Sequence, residues 1–370
     1  MRLAAILAIL TAAVTTTLLA APPTRKPAPP VIHTLPKVAP EVAAQRGKTA
    51  FEAKDYTAAV ADLALACAGG IAESCFLQGE ALRRSVPGPV DPAAILLAYR
   101  QACEKGFAQG CQSYSVYHTP LARDDAEKAQ DTAMLARGCE LESGISCASL
   151  GYRYEKGLLT APDPVKARQF YLKGCELKNP AGCRNTAVAF YNGVGGDKDP
   201  AQALAYNQRA CDLGHVEACY WAADQIQDGD GTTPDRLKAR ALFGENCTRN
   251  DARSCAQYGY LLEQKLLPDE KRDRKAARAA YEKACRLGSS VGCGNLGIMQ
   301  EWGSGGPPDL AGAFASYDKS CEMRLASSCA ALSRLYRAGQ GTVANPSLAA
   351  IYLRRACDLG DARSCKTLGR

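Results

Sequence analysis

The sequence predicts an all-α protein: an α/α-hairpin repeat solenoid, wound as a right-handed superhelix, with one C-x7-C disulfide in each 36-residue repeat. Three observations carry this. The 18 cysteines fall into nine pairs, each with seven residues between its members. First cysteines recur every 36 residues, with a single interval of 38. Between the pairs, helix-start and helix-stop residues return in the same order.

The chain opens with a candidate export signal at residues 1–21. Met1-Arg2 is the short positive start, Leu3 to Leu19 is apolar and uncharged, and Leu19-Ala20-Ala21 offers small residues for cleavage. The alternative is a retained anchor; the weakly hydrophobic Ala- and Thr-rich composition favours cleavage. No cysteine precedes Cys67, which speaks against a lipid-modified amino terminus. Residues 22–40 form a Pro-rich linker, extended and semi-rigid. The repeats are expected over 41–370, in a periplasmic or secreted protein with no membrane span in the mature chain.

Composition excludes some functions. A net charge of +7 over 370 residues is modest, and no basic run is interleaved with aromatics, so no nucleic-acid partner is expected. The run Lys271, Arg272, Arg274, Lys275, Arg278 is interrupted by Asp273 and reads as a solvated helix face. There is no CxxC and there are three histidines, so neither metal nor cofactor is expected.

The expected pairs are Cys67 with Cys75, Cys103 with Cys111, Cys139 with Cys147, Cys175 with Cys183, and Cys211 with Cys219. Further along they are Cys247 with Cys255, Cys285 with Cys293, Cys321 with Cys329, and Cys357 with Cys365. An even count at fixed spacing behind an export signal reads as a disulfide framework. Residues eight apart on one helix lie about 12 Å apart along its axis, whereas a disulfide needs Cα atoms within about 7 Å. A turn must therefore intervene. Gly69-Gly70, Gly106, Gly144, Asn179-Pro180, Gly214, Asn250-Asp251, Gly288 and Gly360 supply it, glycine taking the left-handed conformation that ends a helix. Each pair should staple the end of one helix to the start of the next. The interval of 38 fits a longer loop around Leu266 to Arg272.

After each second cysteine comes a helix closed by Lys156-Gly157, Asn192-Gly193, Asp228-Gly229, Trp302-Gly303 or Ala338-Gly339. The next helix starts at Asp91-Pro92, Asp163-Pro164, Asp199-Pro200 or Asn345-Pro346, where Asp or Asn caps the exposed amides and proline forgoes only a donor without a partner. The fourth residue after the second cysteine is always small: Gly79, Ser115, Gly151, Ala187, Ala223, Gly259, Gly297, Ser333, Gly369. Glycine inside a helix costs about 1 kcal/mol relative to alanine, so close approach of another helix is expected there. Leu82, Tyr154, Phe190, Ile226, Leu262 and Tyr336, three residues further on, should be core, and His118 in that register a buried or rim histidine.

This pattern resembles the Sel-one-like repeat (SLR) family, relatives of the tetratricopeptide repeats, and within it the cysteine-rich branch first named from Helicobacter. The carrying residues are Cys147-Ala-Ser-Leu-Gly151 and Cys293-Gly-Asn-Leu-Gly297, the Tyr-x-Lys/Arg-x-Cys runs ending at Cys175, Cys285 and Cys321, and the Asp-Pro-x-x-Ala start from Asp199 to Ala203. The first unit departs: Phe51 and the Asp55-Tyr56 turn look like a plain tetratricopeptide hairpin. The unit from Cys103 to Gly138 lacks the Gly-rich loop.

Two functions come with the resemblance. One is an adaptor holding a protein or peptide partner on a concave surface. The other is weak penicillin-binding or β-lactamase activity, which would bring in a cell-wall or β-lactam-like small molecule. A serine β-lactamase needs S-x-x-K with S-D-N and K-T-G. Ser316-Tyr-Asp-Lys319 is the one S-x-x-K; Lys319 is the repeat's ordinary lysine, and Lys366-Thr367-Leu368 departs from K-T-G. No catalytic residue is therefore assigned. For binding, the second and fifth positions after the second cysteine point into the groove if that helix lines it. Candidates there are Tyr152, Asn185, Trp221, Asp224, Gln257, Tyr260, Asn295 and Arg334, to be weighed against ordinary solvated residues.

Overall fold

The computed structural model describes residues 38–85, 91–121, 124–158, 161–269 and 271–369. The expected export signal and nearly all of the Pro-rich linker lie outside these described residues. Ala39 to Arg370 form one compact unit. Among the described residues there are nineteen α-helices and no strand. In chain order they are α1 (Pro40–Glu52), α2 (Tyr56–Ala68), α3 (Ala72–Arg84), α4 (Pro92–Glu104), α5 (Ala108–His118) and α6 (Asp125–Glu140). Next come α7 (Gly144–Lys156), α8 (Pro164–Glu176), α9 (Pro180–Asn192), α10 (Pro200–Asp212), α11 (Val216–Asp228) and α12 (Arg236–Thr248). The series ends with α13 (Ala252–Glu263), α14 (Arg274–Arg286), α15 (Ser290–Trp302), α16 (Leu310–Glu322), α17 (Ala326–Ala338), α18 (Pro346–Asp358) and α19 (Ala362–Thr367).

Each helix packs on its neighbours in sequence. Odd helices also meet the next odd helix at α1–α3, α3–α5, α5–α7, α7–α9 and α13–α15, whereas among even helices only α4 and α6 meet as closely. The 38-residue interval has a simple origin. Helix α13 is one residue short, and the ten residues from 264 to 273 replace the usual seven between hairpins.

Helix ends follow the local chemistry. Asp163, Asp199, Asp235, Asp273, Asp309 and Asn345 each accept the backbone N–H three residues on, and Gly157, Gly193, Gly229, Gly303 and Gly339 close helices in the left-handed conformation.

Every cysteine is bonded to the partner that the spacing predicts. Cys67 is joined to Cys75, Cys103 to Cys111, Cys139 to Cys147, Cys175 to Cys183, and Cys211 to Cys219. In the second half Cys247 is joined to Cys255, Cys285 to Cys293, Cys321 to Cys329, and Cys357 to Cys365. The paired Cα atoms lie 4.3 to 4.8 Å apart, inside the reach of a disulfide. Each bond ties the last turn of an even helix to the first turn of the next odd one. No free cysteine remains among the described residues. Nine such bonds mark an oxidising, extracytoplasmic compartment.

The turn inside each staple differs in detail from expectation. The left-handed residue is always the third after the first cysteine: Gly70, Gly106, Glu142, Lys178, Gly214, Asn250, Gly288, Arg324 and Gly360. Gly144 is instead the first residue of α7, and Asn179 caps α9 by accepting the Gly182 amide. Helix termination needs positive φ at one fixed step, and Glu142, Lys178 and Arg324 accept the steric cost of a long side chain there. Lys178 and Arg324 stand at the surface of their turns, so glycine would relieve that cost without removing a packed core group. Lys178→Gly and Arg324→Gly should each raise stability by about 0.5–1 kcal/mol. Urea midpoints with disulfides intact check this; a fall in either variant would refute it.

The small position has an identified neighbour. Gly79, Gly151, Gly259 and Gly297 face Tyr99, Tyr171, Tyr281 and Tyr317 of the following even helix, and a Cβ on any of these glycines would stand 2.6 to 2.8 Å from the ring. The four hydroxyls donate to Glu80, Glu155, Glu263 and Glu301 at 2.6 to 2.9 Å. Burial, and then the adjacent carboxylate, pushes these phenols far above their ordinary range. Each such tyrosine is a plug seated on glycine.

Of the expected core residues three further on, Ile226 and Leu262 are buried, while Leu82, Tyr154, Phe190 and Tyr336 are half-buried. Tyr154, Phe190 and Tyr336 lie flat on Phe170, Tyr206 and Tyr352, with ring centroids 5.5 Å apart. Their register leads to aromatic stacking with the next helix, not to full enclosure.

Candidate functional site

Helix geometry separates two faces of each odd helix. With the second cysteine at 0°, the small fourth residue returns to about 40°, whereas the second and fifth positions fall near 200° and 140°. The cysteine and the small residue meet even helices, and the other two positions stand roughly opposite them on the helix wheel.

Tyr152 and Asn185 line one cleft of about 470 Å³, shared by α5, α7 and the start of α9. Val116, Ile145 and Leu158 give it an apolar wall and are exposed. A buried polar network supports it from below. Asp131, 0% exposed, lies 2.6 Å from His118 Nδ1 and accepts from the Thr119 hydroxyl, while Arg153 Nη2 donates to Ser115 and Thr119. His118 is thus a buried histidine held by a carboxylate.

Trp221 and Asp224 line a second cleft, of about 220 Å³, between α9 and α11, with Asn207 of α10 also in its wall. Glu217 organises one side. It accepts from the Trp221 indole at 3.2 Å and lies 3.8 and 3.9 Å from the guanidiniums of Arg184 and Arg253. Burial alone would raise the Glu217 carboxyl, but the indole N–H and the two arginines hold it below its ordinary range. On the other side Asp224 is pushed up, first by burial and then by Asp228 and Asp230; Tyr191 donates to Asp230 at 3.0 Å. None of the three aspartates is ion-paired among the described residues.

The remaining candidates line neither cleft. Gln257 lies against the Tyr220 hydroxyl and Asn295 against the Tyr281 hydroxyl. Tyr260 is exposed, and Arg334 pairs with Glu301 at 2.7 Å, beside the Tyr317 plug. A further cleft of about 250 Å³ opens between the even helices α10 and α12, lined by Lys238, Glu245 and Arg249 beside the Cys211–Cys219 bond.

Ser316 and Lys319 serve different partners. The Ser316 hydroxyl donates to Gln300 at 2.7 Å, and Lys319 Nζ donates to the Cys285 carbonyl at 2.9 Å. No group of three or more potential metal ligands occurs among the described residues, and no described helix is long and apolar enough to cross a membrane.

Sequence reasoning does not single out Arg184, Tyr191, Asn207, Glu217 or Asp230. One signal is present: Asn207 stands four residues before Cys211, where Tyr99, Tyr171, Tyr281 and Tyr317 stand before their own cysteines.

Comparison with known proteins bears on the fold. The Sel1 repeat family matches residues 144–179, 180–215, 216–245, 252–289, 290–324 and 326–361, more than half of the chain. A search of curated proteins finds no match. Among solved structures, a protective antigen of uropathogenic Escherichia coli strains displaying an SLR fold is 22% identical, covers 88% of this chain and 78% of its own, and superposes with a TM-score of 0.69. A Sel1 repeat protein from Oxalobacter formigenes is 18% identical, with 90% and 93% coverage and a TM-score of 0.65. Helicobacter pylori cysteine-rich protein B is 32% identical but covers 36% of this chain and 96% of its own, with a TM-score of 0.31.

Proposed function

The chain belongs to the Sel1 repeat family, and from that premise we propose that it is an exported scaffold which binds a protein or peptide partner on the concave face formed by its odd helices. Residues 1–21 would direct export and 22–40 would hold the repeats away from the processing site or membrane. The carrying observation is the pair of clefts along α5, α7, α9 and α11, which gather Tyr152, Asn185, Trp221 and Asp224. The closer meeting of odd helices supports this face as the inner one, because the concave side of a curved stack is the compressed side. The disulfides support the compartment, and the mixture of aromatic, amide and charged groups suits peptide recognition.

The partner is to be captured with the chain from Ala39 onward, identified by mass spectrometry, and titrated. Trp221→Ala and Tyr260→Ala should each weaken it by about tenfold or more, the size of a binding hot spot, with helical circular dichroism unchanged. Full affinity in both variants would move the site elsewhere. Nitrocefin turnover at buffer background is expected; turnover that follows the protein peak would replace the scaffold by a β-lactamase.

A further inference from the structure

The cleft between α9 and α11 opens at the unit where the plug position holds a short polar side chain. In four units glycine seats a tyrosine whose hydroxyl meets a glutamate. Here the seat is Ala187 and the tyrosine's place is taken by Asn207, while Tyr191 stands four residues after the seat, where Glu155, Glu263 and Glu301 stand in their units. An asparagine is too short to fill the space of a tyrosine. Ala187, Tyr191 and Asn207 all line the cleft, so the space a ring would take borders it.

The hydrogen bonds around Asn207 leave one atom over. Gln225 Nε2 donates to the Pro200 carbonyl, which turns Gln225 Oε1 toward Asn207. Asn207 must then present its amide nitrogen, and Nδ2 donates to that oxygen at 2.7 Å. Asn207 Oδ1 is left without a partner among the described residues, on a side chain only 4% exposed. A buried acceptor with no donor destabilises the folded chain, so a donor arriving through the cleft has a place prepared for it.

The charge of that donor follows from its surroundings. Arg184 and Arg253 are engaged with Glu217, whereas among the described residues Asp224, Asp228 and Asp230 have no cationic partner in ion-pair contact. Taken together these six groups carry more negative than positive charge. The Trp221 ring, already 5.6 Å from the Arg184 guanidinium, offers a face to an alkyl stem. Arg184 Nε–H, buried, without a partner among the described residues and on a cleft-lining residue, offers a donor to a backbone carbonyl.

We infer that this cleft takes a lysine side chain of a bound peptide, its ammonium donating to Asn207 Oδ1 and pairing with Asp224, its stem against Trp221, and its backbone carbonyl on Arg184 Nε–H. The cleft, about 220 Å³, is roomy enough for one long side chain. The inference rests on the scaffold reading for its peptide, but it is tested without the natural partner.

The test titrates acetyl-Gly-Lys-Gly-amide into the chain carrying Trp302→Phe, so that Trp221 is the sole indole reporter, with calorimetry in parallel. Saturable binding near millimolar is expected for a single side chain. Ala187→Gly with Asn207→Tyr, which rebuilds the plug, should abolish it without lowering the melting temperature. Asp224→Asn should weaken it at least about tenfold. Should the rebuilt plug melt lower, Asn207→Leu, which removes the acceptor together with the amide bond to Gln225, carries the same expectation of lost binding. No saturation, equal binding of acetyl-Gly-Glu-Gly-amide, or unchanged binding in the plugged variant would overturn the assignment. So would cadaverine binding more tightly than the peptide, which would give the pocket to a free polyamine. A lost lysine titration with partner capture intact would end the pocket alone, and a kept titration with no partner captured would end the scaffold reading alone, so the two failures are separable.

Discussion

Full reduction of the nine disulfides is expected to lower the melting temperature of the chain by more than about 20 °C. Each bond closes a ring of nine residues, and by the loop-entropy relation such a ring stabilises by about 2–3 kcal/mol. At an unfolding entropy of about 2 cal/mol/K per residue, 1 kcal/mol moves the melting point of a chain of this size by about 1–2 °C, so the nine bridges acting together reach that figure. The repeat architecture sharpens the dependence. A 36-residue unit buries its apolar face only against its neighbours, and the loss of one interface weakens the next. Loss should begin around α5 and α6, where Leu135 stands in the tyrosine register and the Gly-rich loop of other units is lacking. Thermal circular dichroism with and without dithiothreitol, thiols counted at the end, measures the shift, and hydrogen exchange locates its origin. A melting curve unmoved with all thiols free would mean that helix packing alone holds the stack.

That dependence is legible in the sequence because cysteine spacing is a distance constraint written in residue numbers. From Cys175 and Cys183 one obtains the turn, the two helices it joins and the period of the whole stack. The same eight-residue step holds from the first pair, Cys67 with Cys75, to the last, Cys357 with Cys365. Helix ends are equally legible, since Asp199-Pro200 and Asn192-Gly193 act through local backbone chemistry. The turn residue is harder. Glycine identity draws attention to Gly144, but the backbone demands positive φ at a fixed step after the cysteine, and Glu142 occupies it. Geometry at that step outranks residue preference.

The site is less legible for a related reason. Helical spacing places Trp221 and Asp224 roughly opposite the second cysteine on the helix wheel, and the structure brings them to one cleft. It does not separate them from Gln257 or Arg334 in the same register, whose neighbours are a tyrosine hydroxyl and Glu301. What distinguishes a cleft from a filled surface is the residue some twenty positions away in the next helix. That partner is visible only once the small position is known to seat a ring.

The seating of Tyr317 on Gly297 should appear as a strong coupling in a double-mutant cycle. In an exposed helix Gly→Ala gains about 1 kcal/mol. At Gly297 the sign should reverse, because the new Cβ would stand 2.7 Å from Cδ1 and Cε1 of Tyr317. The ring has nowhere to retreat: it is buried, its hydroxyl donates to Glu301 at 2.9 Å, and Glu301 also holds Arg334. Overpacking of this kind costs about 1–3 kcal/mol, so Gly297→Ala should be destabilising despite its helix propensity. Tyr317→Leu should cost about 3 kcal/mol, by losing buried ring contacts and leaving Glu301 without its phenol donor. With leucine in place the Cβ should no longer meet a rigid ring, and the alanine substitution should become neutral or favourable. The chain already uses that combination, since Ser115 and Ser333 stand in register with Leu135 and Leu353. The double variant, Gly297→Ala with Tyr317→Leu, should therefore be more stable than the sum of its parts by about 2 kcal/mol, well above the scatter of additive sites. Urea unfolding of the four proteins, disulfides intact, yields the coupling directly. Additive losses would show that the glycine is kept for some reason other than the ring it faces.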